Sequence, residues 1–363
     1  MKEKFSGIKS FFVKYERHIS IGAFLAGFII DNLTLTRIDL LFDNLVLFSY
    51  LITAAAAVVF LSAYERGALS GRLFSYVRTI APIVMQYAFG GLFSGFFIFY
   101  SRSASISDSW PFLLLLAFLL FGNEFFRARY ARKIFRISIF YFTLFSFLIF
   151  YVPIVIGSMG ARVFLLSGFI SIIIIAFFIK ILARISTEQI SGIRNTLIAS
   201  IAGIFIAINI MYFANIVPPI PLSLKDAGVY HFVARENGNY KVLDEERIWR
   251  EHLPFIARKI HIRRGEPVYF YSAVFAPAKI TTPIFHEWQY FDEAQEKWIT
   301  ANRIGFQISG GRDGGYRGYT IKQSIFPGRW RVNVATGRGQ ALGRVYFIVE
   351  EVKAELKLKQ KII

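Results

Sequence analysis

The sequence predicts an α-helical transmembrane bundle of about seven spans, followed by an all-β sandwich of the immunoglobulin or fibronectin type III kind. Three observations carry that expectation. Long apolar stretches fill residues 1–216, the basic residues between them fall on alternate connections, and beyond about residue 255 apolar and polar side chains alternate between Gly/Pro breaks. Of the 363 residues 55% are apolar and 40 are Phe, which fits lipid as the solvent better than water.

Seven stretches approach the roughly 20 residues needed to cross a hydrocarbon core. They are Ile19–Thr36, Leu40–Leu61, Thr79–Tyr100, Trp110–Phe125, Ile137–Ile156, Val163–Ile181 and Leu197–Ile216. The first is cleanly apolar only from Ile19 to Ile30, and the fourth only from Pro111 to Gly122, so each is open to a tilted or partly re-entrant reading. The segment before span one carries Lys2, Lys4, Lys9, Lys14 and Arg17. The second, fourth and sixth connections carry Arg66, Arg72 and Arg78; Arg127, Arg129, Arg132, Lys133 and Arg136; and Lys180, Arg184 and Arg194. The opposite connections hold Arg37, Arg102 and Arg162. By the positive-inside rule the N-terminus is expected in the cytoplasm, and an odd number of spans places everything after Ile216 on the far side of the membrane. Asp31 and Asn32 stand where a signal-peptide cleavage site would need small residues, so an uncleaved first helix is expected.

Three parts follow: a helical membrane domain over 1–216, a linker with a short helical segment over 217–254, and an exported β domain over 255–363. The linker opens with Val217-Pro218-Pro219-Ile220-Pro221, a stiff non-helical exit, and a short helix is expected over Leu243–Phe255. The expected strands are Tyr230–Arg235, Ala257–Arg263, Val268–Phe275, Ile284–Phe291, Trp298–Ser309, Tyr319–Ser324, Arg329–Thr336 and Arg344–Val352. In Trp330-Arg331-Val332-Asn333-Val334 one face is apolar while Arg331 and Asn333 point the other way. The chain has no Cys, which excludes a disulfide scaffold, a thiolate zinc site and a Cys nucleophile.

The net charge of +18 is largely the topology signal, but residues 217–363 still carry 23 basic and 15 acidic side chains. With the folded domain outside, nucleic acid is not an expected partner. Membrane lipids, lipopolysaccharide phosphates, another acidic envelope glycan or an acidic protein are; ordinary solubilising charge is the alternative.

Polar residues crowd the outer ends of spans one and two: Asp31, Asn32, Arg37, Asp39, Asp43 and Asn44. At 1.5 Å per residue, Asp31 lies about 20 Å beyond Arg17, short of the far boundary. Carboxylates at such depth pair or line cavities. Either Arg37 pairs with Asp31 or Asp39 in a capped turn, or the acids hold a cation, relay a proton or bind a headgroup. Glu124, beside Arg127 and Arg129, is read as an interfacial anchor. Glycines 90, 91, 95 and 203 offer close helix packing.

The loop Ser309-Gly310-Gly311-Arg312-Asp313-Gly314-Gly315-Tyr316-Arg317-Gly318-Tyr319 lacks the Gly-Lys-Ser/Thr of a P-loop. Arg312 and Arg317 suit a phosphate or carboxylate, Tyr316 and Tyr319 a sugar face, with His286 and Trp288 adjoining. The competing reading is a hairpin whose glycines serve positive φ angles, with Trp288 in the core. No His spacing suggests a metal site, no Gly-x-Ser-x-Gly elbow is present and no cofactor is expected.

The residues His286-x-Trp288, Trp298, Gly310-Gly311-Arg312 to Arg317-Gly318-Tyr319, Pro327-Gly328-Arg329-Trp330-Arg331-Val332, Gly339-Gln340-Ala341-Leu342-Gly343 and Phe347 resemble the bacterial domain-of-unknown-function family 2914 over roughly 255–352. The N-terminal spans resemble the membrane part that often accompanies that domain. The resemblance implies a bacterial membrane protein with a β module and supplies no activity or site residue. A membrane-anchored envelope protein binding an anionic glycan, lipid or protein through its β domain is the expected function. The alternatives are a transporter or channel, or a membrane enzyme acting on a lipid-linked substrate through Asp31, Asp39 and Asp43.

Overall fold

The computed structural model describes residues 27–69, 71–103, 105–126, 129–246 and 257–363. Helical residues 27–34 (α1) precede α2 (Leu41–Glu65), α3 (Arg72–Arg102), α4 (Ile106–Gly122), α5 (Lys133–Ile156), α6 (Ala161–Ile185), the single turn α7 (Thr187–Ser191) and α8 (Arg194–Phe213). Helices α2, α3, α5, α6 and α8 are long and apolar enough to cross a membrane. That makes five among the described residues, where seven were expected. Span one lies mostly outside them, and span four is the 17-residue α4, whose length ends with the short 3-10 turn Asn123–Phe126. The basic N-terminal residues, His18 and Arg127 also lie outside the described residues.

The chain divides into two compact units. The first holds residues 1–99, 115–147 and 171–204; the second holds 100–114, 148–170 and 205–363. In the first unit α2 and α3 approach through glycine. A Cβ on Gly91 would lie 2.5 Å from the Tyr50 ring, and one on Gly95 would lie 2.5 Å from Leu47. Those two glycines form a small-x-x-x-small step. Gly203, by contrast, has nothing within 4 Å. At the α2 and α5 termini Glu65 pairs with the buried Arg136 at 2.8 Å and with Lys133 at 3.1 Å.

Among the described residues the second unit contains eleven strands in three sheets: β1 (Ser223–Tyr230), β2 (Phe232–Glu236), β3 (Asn239–Glu245), β4 (Arg258–Ile262), β5 (Val268–Phe275), β6 (Thr281–Asp292), β7 (Lys297–Ser309), β8 (Tyr316–Lys322), β9 (Gly328–Thr336), β10 (Ala341–Glu351) and β11 (Leu358–Ile362). Their orders are β4-β10-β9-β6-β7, β1-β5-β8 and β11-β3-β2; β4 and β10 pair in parallel, and the other pairs are antiparallel. One core, with Trp288, Trp330, Val332, Phe270 and Phe347, lies between the five-stranded sheet and the inward face of β5. The alternate β5 residues Tyr271 and Ala273 face the opposite way and pack with Tyr230 of β1 and with Val233, Tyr240 and Val242 of the third sheet.

The helix expected over Leu243–Phe255 is corrected at its start. Leu243 to Glu245 belong to β3, where Leu243 pairs with both β2 and β11 and Asp244 and Glu245 pair with β11, while residues 247–256 are outside the described set. Asp244 is a fully buried strand residue paired with Arg258 and, at 3.1 Å, with Lys361.

Candidate functional site

The outward face of the five-stranded sheet collects arginines and aromatic rings. Cross-strand register places Gln289, Arg331 and Tyr346 in one row, and Glu287, Asn333 and Arg344 in the next. Arg331 donates from Nε to Gln289 at 2.7 Å and stacks 4.3 Å from the Trp298 ring centre. Arg344 donates from Nε to Asn333 at 2.5 Å and from Nη1 to the Tyr346 hydroxyl at 3.3 Å, and it approaches Asp108 at 3.4 Å. Burial and the neighbouring Arg344 both push the Arg331 pKa down. Burial would raise the Tyr346 phenol, yet hydrogen bonding and charge from Arg344 and Arg331 bring it below the ordinary tyrosine value. The Tyr346 shift reports the positive charge of the two arginines, whereas burial leads the Arg331 shift. On the same face Arg303 is paired with Glu287 and lies over Phe285, and Arg329 is paired with Glu293 and lies over Phe291.

The glycine loop is organised by its own backbone. Gly310 donates to Ile280, Gly311 to Ala276 and Gly315 to Arg312. A Cβ on Gly310 would stand 1.8 Å from the Pro277 carbonyl oxygen, and Gly311 and Gly315 have positive φ. Arg312 lies over the Tyr316 ring at 5.7 Å, whereas Arg317, one residue along the strand, donates to the Ile363 carbonyl. Tyr319 meets the Tyr240 ring edge-on and the Tyr269 ring at a tilt. The two arginines are therefore not brought together on one group.

His286 and Trp288 are fully buried. The His286 ring joins Ser272 (2.7 Å) to Thr320 (3.0 Å), and Trp288 donates to the same Thr320 hydroxyl at 3.1 Å. Burial pushes the His286 pKa down to about 3, so the ring is neutral at ordinary pH. This is a satisfied core network with no surface to offer a ligand.

A second titratable cluster surrounds Glu245, which accepts from His231 at 2.7 Å and from the His261 ring and backbone at 2.6 and 2.8 Å. Burial opposes its ionisation, but these hydrogen bonds prevail and hold the carboxyl at about 2. Among the described residues no group of three or more His, Asp or Glu side chains is placed to hold a metal.

In the turn between α1 and α2, the buried Asp43 accepts the backbone N–H groups of Thr36 (2.9 Å) and Arg37 (3.0 Å). Asn44 donates to the Ile38 and Leu40 carbonyls, and Arg37 grips Asp39 through two hydrogen bonds of 3.0 and 2.7 Å. Asp31 faces Ser94 of α3, and Asn32 is exposed. Asp39 and Asp43 thus bond within the turn, Asp39 as the partner of Arg37. The side chain of Glu124 is outside the described set.

The β9–β10 turn also borders a cavity of about 220 Å³ in the second unit, lined by Pro153, Met159, Phe164, Tyr212 and Thr282 among others. Arg338 reaches it from the turn. Neither this arginine nor the Arg331–Arg344 pair was singled out from sequence. The outward phase of Arg331 was legible in the strand alternation, but its proximity to Arg344 depends on register.

A family model described as "Protein of unknown function (DUF2914)" matches residues 281–349. Those residues are a DUF2914 module. The match runs from β6 to β10, so the DUF2914 module contains Arg331, Arg338 and Arg344, while β1 to β5 and β11 lie outside it. No curated protein matches the chain. Among solved structures, Pseudomonas fluorescens alkylpurine DNA glycosylase AlkC, bound to DNA containing an abasic site analog, aligns at 13% identity over 86% of this chain and 99% of that one. Its TM-score of 0.21 is too low to carry any argument about fold or function.

Proposed function

We propose that the chain is a membrane-anchored protein of the bacterial envelope whose β domain, exported to the periplasm, binds an acidic glycan. The observation that carries the ligand class is the Arg331–Arg344 pair on neighbouring strands, flanked by Trp298 and Tyr346. Guanidinium groups suit carboxylate or phosphate, and aromatic rings suit the apolar faces of sugars. The sidedness draws support from the basic residues between the apolar stretches, which fall on alternate connections. The immunoglobulin-type sandwich is supported by the facing sheets β10-β9-β6 and β1-β5-β8.

The test is titration of the full-length protein in neutral detergent with polygalacturonate, with uncharged dextran as the control. Binding to the acidic polymer should weaken with added salt, and Arg331→Gln with Arg344→Gln should reduce it about tenfold or more. Equal binding of dextran, or unchanged binding in a double variant that melts like the parent, would overturn the assignment.

A further inference from the structure

We propose that the cavity beside the β9–β10 turn binds the phosphate group of a membrane lipid, with Arg338 as its cation. This goes beyond the sheet-face reading and does not depend on it. Arg338 sits in the turn Thr336-Gly337-Arg338-Gly339-Gln340, which is closed by reciprocal backbone hydrogen bonds between Thr336 and Gln340 or Gly339. Arg303 donates to the Gly337 carbonyl at 3.2 Å, so the turn is held from below.

The guanidinium is positioned and only partly satisfied. It lies 4.1 Å from the Tyr212 ring centre and 5.4 Å from that of Phe213, and Nη2 donates to the Tyr212 carbonyl at 3.4 Å. Nη1 is buried and has no hydrogen-bond partner among the described residues. A buried donor on a charged group left in that state is costly, and an anionic oxygen is the acceptor that relieves it best. Arg338 is the only charged side chain among the described residues lining the cavity. No lining carboxylate competes for it, and Thr282 adds a hydroxyl to the wall.

Size and position select the ligand. At about 220 Å³ the cavity is far roomier than one water requires, yet it falls below the roughly 300–1,000 Å³ of pockets that enclose a drug-sized molecule. It suits a compact group such as a phosphodiester with part of its glycerol. Its lining comes from the last turns of α5 (Pro153) and α8 (Tyr212), the α5–α6 connection (Met159) and the first turn of α6 (Phe164). Ends of membrane-crossing helices are where headgroups lie. The same helix ends expose Val155, Leu165, Phe169, Ile210 and Phe213, an apolar track for acyl chains. A free anion would use the arginine but not the track.

The experiment uses the full-length protein in neutral detergent, titrated with dioctanoyl phosphatidylglycerol and followed by native mass spectrometry. One lipid should be retained; Arg338→Gln should weaken retention about tenfold, Arg338→Lys less, and Arg329→Gln not at all. Inorganic phosphate at equal concentration should not displace the lipid. Retention by Arg338→Gln within about twofold of the parent would overturn the site, and displacement by inorganic phosphate would overturn the lipid as its ligand. A second measurement needs no variant. Phosphatidylglycerol with a photoreactive acyl chain should label the unaltered protein within residues 149–169 and 206–213, and labelling confined to other segments would overturn the proposal.

Discussion

Single side chains in this protein are explained mostly by what they satisfy. His286 is the sharpest case: a neutral imidazole in a dry core, fixed by Ser272 and Thr320. The unfolded chain takes up a proton near pH 6.5, whereas the folded chain resists to about 3. Between those values the unfolded state binds more protons, so stability falls as pH falls. The loss from this group should reach about 2 kcal/mol between about pH 7.5 and 5. Thermal melts of the parent and His286→Gln across that range check it: the variant should start lower and lose less. Parallel pH profiles would show that His286 is not the titrating group. The buried Asp43 and Asp244 follow the same logic, because each is buried only with its hydrogen-bond partners supplied. Sequence flags Asp43 as unusual, but not Asp244, nor that Arg258, 14 residues away, would meet it.

At the scale of elements, periodicity was readable where packing is simple. The strand expected over Val268–Phe275 coincides with β5, and the five longest helices fall on expected spans. β3 was misread because its inward positions are Tyr240, Val242 and Asp244, so a buried acid interrupts the apolar alternation. β1 contains Lys225, Asp226 and a register shift, and β11 is the polar sequence Leu358-Lys359-Gln360-Lys361-Ile362. Neither carries an apolar period. Helix packing was half legible. Gly91 and Gly95 meet Tyr50 and Leu47 as the small-residue pattern suggests, yet the equally promising Gly203 meets nothing. Replacing Gly91 with Leu should therefore separate α2 from α3 and lower stability by about 1–3 kcal/mol, seen as a lower melting temperature, while Gly203→Leu should change little. Equal effects of the two would contradict that packing.

At the scale of the whole molecule, the division into apolar helices and a β domain was plain from composition, because lipid and water select different side chains. The candidate sites were not. The Arg331–Arg344 pair is made by cross-strand register and the Arg338 cavity by a turn lying beside helix ends, and neither juxtaposition is local in sequence. Both binding proposals place the β domain on the membrane face away from the basic connections. The direct measurement exploits the absence of native Cys. Single cysteines at Lys297 in the β domain and Ala68 in the α2–α3 connection are probed with a membrane-impermeant maleimide in sealed vesicles of known orientation. Cysteine 297 should react only from the periplasmic side and cysteine 68 only from the cytoplasmic side; labelling of both from one side would contradict the proposed topology.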